Sequence, residues 1–293
     1  MTSPGQWLAG ARPKTLGASV SPVLVGTAVA SRYGDVVWWR AGMALVVAVA
    51  LQIGVNYAND YSDGVKGVDT AERRGPVRLT ASGLAAPKAV KRAALLSFTV
   101  AALVGIALAL AVDWRLIFVG AACVLAAALY SGGPKPYASA GLGEVMVLVF
   151  FGFVATCGSA YVHLERLPGL ALAASLPVGL AACAILLVNN LRDVTTDEAA
   201  GKRTLAVRIG AARTRTLYTA CMALAAGMPL TLALALGKPL VAAGLLAAPL
   251  ARSPVAAVRD PQSPPPALVA ALIGTARFQL VLSALLALGL WNW

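Results

Sequence analysis

Nine apolar stretches, nearly free of charge, limit how this 293-residue chain can fold. They run approximately over 16–31, 38–59, 92–112, 114–131, 143–162, 168–190, 214–236, 239–257 and 267–291. A helix of roughly 20 apolar residues spans the hydrocarbon core of a bilayer. Inside lipid the backbone must also satisfy its own hydrogen bonds, which a helix does. The expected fold is therefore all-α and integral to a membrane, a single transmembrane domain over residues 1–293. Composition agrees, at 59% hydrophobic and 12% charged residues with a mean hydropathy of +0.78; soluble domains carry roughly 25% charged residues. The first stretch is short and interrupted by Pro22 and Gly26, and Trp7-Leu8 before it reads as an interfacial helix. Ala28-Val29-Ala30 resembles a signal-peptidase site, but eight further apolar stretches follow, so the first is expected to be retained.

The basic residues orient the chain. The N-terminus and every second loop after it carry 18 Lys and Arg, the opposite loops carry 5, and Arg277 lies inside the last stretch. By the positive-inside rule the richer side is cytoplasmic, which puts the N-terminus inside and Trp291-Asn292-Trp293 in an aromatic belt outside. The net charge of +12 mostly restates this bias. Nucleic-acid binding is excluded, because the cations are divided among loops joined by apolar segments. Anionic lipid headgroups and a polyanionic ligand are the expected partners. Cys123, Cys157, Cys183 and Cys221 all lie in apolar stretches without CxxC pairing, as buried small hydrophobes do.

Two arrays carry the chemistry. Asn56-x2-Asn59-x3-Asp63 and Asn190-x2-Asp193-x3-Asp197 share one spacing and lie 134 residues apart. Steps of three and four put successive side chains on one helix face, so each array presents a column of oxygen ligands where an apolar helix meets a basic loop. Seven of the twelve acids fall here, at Asp60, Asp63, Asp69, Glu72, Asp193, Asp197 and Glu198. Interleaved acids and cations suit a metal–diphosphate site, with carboxylates holding Mg²⁺ and Lys or Arg neutralising the remaining phosphate oxygens. One such loop would read as a basic flank with compensating acids; two with duplicated spacing point to a site. They also imply two four-helix pseudo-repeats followed by a ninth helix, with a Gly-Lys pattern after each array at Gly64-x-Lys66 and Gly201-Lys202.

The stretch Asn59-Asp60-Tyr61-Ser62-Asp63, with Gly64 to Asp69 after it, resembles the first aspartate-rich motif of the UbiA superfamily of intramembrane prenyltransferases. Asp193-x3-Asp197 followed by Gly201-Lys202-Arg203-Thr204 resembles the second. Ala11 to Leu16, Asn56 to Tyr61, Asn189 to Asp193, Gly132-Gly133-Pro134 and Gly141 to Glu144 resemble the branch that prenylates 1,4-dihydroxy-2-naphthoate in menaquinone synthesis. The resemblance covers residue 11 to the last span. It implies nine transmembrane helices around a central cavity open to lipid, with Asn59, Asp63, Asp193 and Asp197 as Mg²⁺ ligands. Asp60 and Asp69 belong to the first motif as catalytic candidates, although Asp69 stands two residues beyond the position usual in relatives, where this chain has Gly67.

From this follows the expected reaction. An allylic polyprenyl diphosphate ionises when its leaving group is stabilised, here by divalent ions with Lys66, Arg73, Arg78, Lys202 and Arg203. An apolar cavity keeps the cation from water, and the electron-rich ring attacks it with loss of CO₂. Arg12 and Lys14 are candidates for the acceptor carboxylate, or else an ordinary basic flank; Asn56 and Asn190 join them as acceptor-binding positions. Tyr130, with Ser131, is placed near the allylic carbon, or else is an interfacial Tyr. His163 reads as a polar surface residue, Glu144 as a cap or a partner of Lys135, and Pro261 to Pro266 as a rigid loop. Two alternatives stand beside this reading: another acceptor, 4-hydroxybenzoate or a phosphoribosyl group, and a cation-coupled transporter. Transport would place ionisable groups at mid-membrane, where the spans hold only Arg277.

Overall fold

The computed structural model describes residues 2–67, 78–133 and 136–292, and these are almost entirely helical. Each of the nine apolar stretches forms a helix. A short helix α1, Pro4–Ala11, precedes them. Then come α2 (Gly17–Ala30), α3 (Trp38–Val65), α4 (Pro87–Val112), α5 (Leu116–Ser131), α6 (Gly143–Leu164) and α7 (Gly169–Arg192). Two short helices, α8 (Val194–Ala199) and α9 (Leu205–Ile209), lead into α10 (Ala211–Leu236), α11 (Pro239–Arg259) and α12 (Pro265–Leu290). Among the described residues seven helices are long and apolar enough to cross a membrane, while α2 and α5 are shorter. Pro265 and Pro266, expected in a loop, instead open α12, where a missing N–H and a fixed φ cost a helix nothing.

Local sequence explains the entry. Ser3 and Gln6 form a reciprocal capping box around the start of α1, with Pro4 in its first turn. Tyr57 on α3 donates its hydroxyl to Trp7 O at 2.7 Å, and the two rings meet edge to face, so α1 lies against the end of α3. The joint between α1 and a 3-10 turn over Pro13–Thr15 is Arg12, with φ of +57°. A non-glycine residue in that region marks a joint that its surroundings must hold.

α7 is the inner helix: 67% of its apolar window is buried, against 17% for lipid-facing α4. Short α2 is buried along most of its length against α6, α7 and α12. Gly26 allows the closest approach, since a Cβ there would stand 2.3 Å from Thr156 O on α6. Inside α6 a π-helical stretch, Leu148–Val154, interrupts the α-helix beside the close Gly152–Gly179 contact with α7. π-Turns of this kind often border functional sites. The pairing of α3 with α4 recurs as α7 with α10, as a four-span repeat requires.

The end of the bundle away from the arrays is tied separately. Trp38 stacks on Trp291, and Ser31 Oγ accepts the Asn292 N–H at 3.1 Å. His163, expected at the surface, is buried there: its Nδ1 accepts the Val37 N–H at 3.2 Å and its Nε2 faces Thr27 Oγ1 at 3.4 Å. It fixes the α2–α3 connection onto α6.

Candidate active site

α3 continues beyond its last apolar turn to Val65, so the first array stays on one continuous helix. Asn56, Asn59 and Asp63 all face one cavity, and Gln52, one turn earlier, extends the column. The second array is split. α7 ends at Arg192, Asp193 caps it, and Asp197 stands on α8, so the expected single helical face is broken at Asp193. Asn190, Asp193 and Asp197 nevertheless line the same end of the same cavity.

Cations knit the two arrays together. Lys202 Nζ lies 3.3 Å from Asp63 Oδ2 and 3.9 Å from Asp197 Oδ1. Arg78 Nη2 approaches Asp63 Oδ2 at 3.9 Å from the loop after α3. Arg192 holds Asp193 with two charge-assisted bonds, Nε to Oδ1 at 2.8 Å and Nη2 to Oδ2 at 2.6 Å, and donates to Asn189 Oδ1 at 3.0 Å. Among the described residues its Nη1 is buried without a hydrogen-bond partner, and Arg192 lines the cavity. Neither Arg192 nor Asn189 was singled out from the sequence, although both sit inside the Asn189-to-Asp193 motif. Their signal was the extension of the polar run one turn back along α7.

Among the described residues no three Asp, Glu, His or Cys side chains gather as a ready-made metal cluster. The acids instead face one another across a shared ammonium. The donor set still fits a hard cation. Asp63 and Asp197 converge on one positive atom, and among the described residues Asn59 Oδ1 is a buried acceptor with no hydrogen-bond partner. Oxygen donors of this kind suit Mg²⁺-like ions, which take carboxylate and amide oxygens and keep several waters.

The cavity measures about 1230 Å³. Its polar end is formed by the arrays with Arg12, Lys14, Arg78 and Lys202, and its long remainder by apolar side chains such as Val47, Leu51, Ile106, Phe150 and Phe151. Tyr130 and Tyr137 meet edge to face on its wall with centroids 5.5 Å apart. Burial pushes the Tyr137 phenol up to about 12, so it remains a hydrogen-bond donor throughout the physiological range. Asn56 spends its amide N–H on Ala11 O at 2.9 Å, and Asn190 donates to Glu144 Oε1 at 2.9 Å. Each thereby keeps a fixed orientation at the wall, and Glu144 is the partner of Asn190.

Three expected roles are corrected. Asp60, a catalytic candidate, turns away from the cavity: its carboxylate accepts the Leu79 N–H at 2.6 Å and the Thr80 N–H at 2.8 Å. It clamps the loop that carries Arg78. Lys66 is exposed, lies outside the cavity wall and donates to Ser131 O at 3.2 Å, a cation at the C-terminal end of α5. Arg203 is also exposed and off the wall, and its carbonyl accepts from Arg208. Asp69, Arg73 and Lys135 lie outside the described residues.

A helical bundle with an apolar cavity, capped at one end by paired acid arrays and cations, defines an intramembrane enzyme built for an amphiphilic, anionic substrate. Residues 19–282 match the UbiA prenyltransferase family, and the chain belongs to it. A 1,4-dihydroxy-2-naphthoate octaprenyltransferase of Mycobacterium tuberculosis is 50% identical over 232 residues, 79% of each chain. The enzyme of that name from Escherichia coli is 38% identical over 240 residues, 77% of this chain and 75% of that one. A UbiA homologue from Aeropyrum pernix shares the fold with a TM-score of 0.67 at 16% identity, covering 95% of this chain and 97% of its own. A homologue from Archaeoglobus fulgidus, solved bound to DMAPP and Mg²⁺, has a TM-score of 0.59 at 15% identity, covering 96% and 99%. The protein is thus an integral membrane prenyltransferase.

Proposed function

We propose that this enzyme transfers a polyprenyl group from polyprenyl diphosphate to 1,4-dihydroxy-2-naphthoate with loss of CO₂, giving a demethylmenaquinol, and that it uses Mg²⁺. The observation that carries the reading is the cavity itself, an apolar chamber of about 1230 Å³ whose polar end joins both acid arrays through Lys202. The relatives named above carry the acceptor.

In this reading Asn59, Asp63, Asp193 and Asp197 hold the divalent cation, which when bound offsets the charge of the departing diphosphate. Arg78, Lys202 and Arg192 bind the phosphate oxygens that remain. The allylic C–O bond breaks with its electron pair on the diphosphate. The ring carbon bearing the carboxylate then forms the new C–C bond, and the electrons of the breaking C–CO₂ bond restore the ring, so no proton needs to be removed there. Apolar side chains such as Phe150 and Phe151 exclude water from the cation and accept the isoprenoid tail. Arg12 and Lys14 pair with the acceptor carboxylate beforehand, and Tyr130 lines the path between the substrates.

The test is product analysis. Protein in vesicles is given a long-chain prenyl diphosphate and naphthoate labelled in its carboxylate, and label should leave as CO₂ in step with prenylated quinol, only when a divalent cation is present. Prenylation of 4-hydroxybenzoate with none of the naphthoate would overturn the acceptor. The array end is assigned to the cytoplasmic side of a bacterial plasma membrane on the loop charges. Single cysteines at Ser82 and Glu198 should react with impermeant reagent from that side, and one at Asp35 from the other; the reverse pattern would invert the orientation.

A further inference from the structure

Gln52 stands one turn before Asn56 on α3 and lines the same cavity, yet both ends of its amide are engaged by the chain itself. Its Nε2 donates to Thr15 O at 3.2 Å, and its Oε1 accepts from Ser19 Oγ. Asn56 donates to Ala11 O at 2.9 Å, and Tyr57 donates to Trp7 O at 2.7 Å. The four partners, Trp7, Ala11, Thr15 and Ser19, stand at intervals of four residues. Tyr57, Asn56 and Gln52 meet them in reverse order. α3 thus grips the N-terminal segment by a ladder of side chains, from α1 through the Pro13–Thr15 turn into α2.

Two rungs of this ladder enclose the cations. Asn56 holds the carbonyl just before Arg12, and Gln52 holds the one just after Lys14. Both carbonyls lie at the ends of helical segments, where intrahelical donors run out and a side-chain amide can serve instead. Between them the chain is tied to itself, Thr15 Oγ1 donating to Arg12 O at 3.1 Å. The backbone of Arg12 is left-handed, with φ of +57°. That conformation is disfavoured for any residue but glycine and persists only where neighbours impose it. Gln52 also differs from the oxygen donors further along its column, because its oxygen faces the Ser19 hydroxyl. Its place in the column is explained by the turn it holds and not by a cation.

We propose that Gln52 and Asn56 are positioning residues. Together they bracket Arg12-Pro13-Lys14 and set where both cations meet a substrate at the polar end of the cavity. Asn56, expected from the sequence to touch the acceptor, acts through Arg12 and Lys14. Either amide can be replaced without removing a charge, so its effect on substrate must pass through the cations. The inference rests on the function proposed above only in that Arg12 and Lys14 serve a substrate.

The experiment compares Gln52→Leu, Asn56→Leu and the milder Ser19→Ala with wild type and with the double variant Arg12→Gln/Lys14→Gln, all in vesicles. Each single variant should raise the same KM that the double variant raises, with kcat little changed. The increase should be about two- to tenfold, the span of one neutral hydrogen bond. Added to the double variant, Gln52→Leu should raise that KM no further, because the cations it positions are gone. Gln279→Leu is the control. It removes a similar amide-to-carbonyl bond, to Val178 O at 3.1 Å, off the cavity wall, and should lower the melting temperature with both KM values unchanged. Hydrogen exchange reads the bracket without turnover: residues 11–19 should exchange faster in Gln52→Leu and Asn56→Leu, and the rest of the chain should not. If the double variant left both KM values unchanged, the substrate role of Arg12 and Lys14 would fall, while faster exchange at 11–19 would still support the bracket. Exchange there that matches wild type would overturn it. So would a KM increase from Gln52→Leu that persists undiminished in the double variant.

Discussion

Lys202 places its ammonium 3.3 Å from Asp63 Oδ2, joining two residues 139 positions apart. Asp63 belongs to the first acid array and Lys202 follows the second, and through this contact the loop between α8 and α9 is folded over the end of α3. The pair also separates two jobs that a charge-rich site must perform. Asp63 supplies negative oxygen, and Lys202 both balances it and remains available to phosphate.

Removing either partner should therefore have different consequences. Asp63→Ala is expected to abolish measurable turnover, because it removes the carboxylate that Lys202 and Arg78 both approach and takes away an oxygen donor. Losing one member of a buried charged pair costs roughly 2–5 kcal/mol, about thirty- to several-thousandfold. Lys202→Ala should instead raise KM for the diphosphate at least tenfold with a smaller loss in kcat. Steady-state kinetics in vesicles, with melting curves to verify folding, read both. Near-normal turnover of Asp63→Ala at saturating Mg²⁺ would remove it from the site.

Asp60 lies beside Asp63's neighbours in sequence yet does another task, and its variants should show it. Two backbone amides donate to its buried carboxylate. Hydrogen bonds to a charged acceptor contribute roughly 1.5–3 kcal/mol, so Asp60→Ala should lower the melting temperature clearly. The folded fraction should keep appreciable kcat, with KM for diphosphate raised because the Arg78 loop is loosened. A stable but inert Asp60→Ala protein would return Asp60 to the catalytic set.

This contrast marks how far the sequence could be read. The nine apolar stretches and the helices coincide because lipid leaves the backbone so few options. The three-then-four spacing placed Asn56, Asn59 and Asp63 together because α3 stays helical through them. Spacing carries no information on which way an adjacent acid turns, and Asp60 is rotated about 100° from Asn59 around the helix, onto the amides of Leu79 and Thr80. Nor does it report where a helix ends, which is why Asp193 caps α7 instead of extending its column. Lys66 and Arg203 were drawn to the site by charge alone, yet one holds the end of α5 and the other faces outward. Arg192 escaped notice because a basic residue next to an acid in a loop reads as a flank. His163 was misjudged because burial at a helix end depends on Val37 and Thr27, which come from elsewhere in the chain.

A packing prediction tests the α2–α6 contact independently of chemistry. Gly26→Ala would put a methyl 2.3 Å from Thr156 O and 2.6 Å from Ser159 Cβ, so the two helices must move apart. Overpacking of this kind costs typically 1–3 kcal/mol. The melting temperature should fall by several degrees, whereas Gly42→Ala on α3, with open space around it, should leave it unchanged or slightly raised. Equal melting temperatures for the two variants would contradict the close approach.

Arg12 and Lys14 offer the sharpest test of the acceptor. Both line the polar end of the cavity, and the left-handed backbone of Arg12 turns the chain there between α1 and the Pro13–Thr15 turn. If either pairs with the naphthoate carboxylate, Arg12→Gln or Lys14→Gln should raise KM for that substrate far more than for the diphosphate. A hydrogen bond to a charged group contributes roughly 1.5–3 kcal/mol, about ten- to a hundredfold. Gln keeps the length and polarity of the side chain, so a general disturbance of the turn would appear in both KM values alike. Arg166→Gln is the control, because that guanidinium sits at the other end of the bundle, bonded to Tyr33 O at 3.2 Å. It should change neither constant. Parallel losses for both substrates in the Arg12 and Lys14 variants would assign these cations to the diphosphate instead and leave the acceptor carboxylate to another part of the wall.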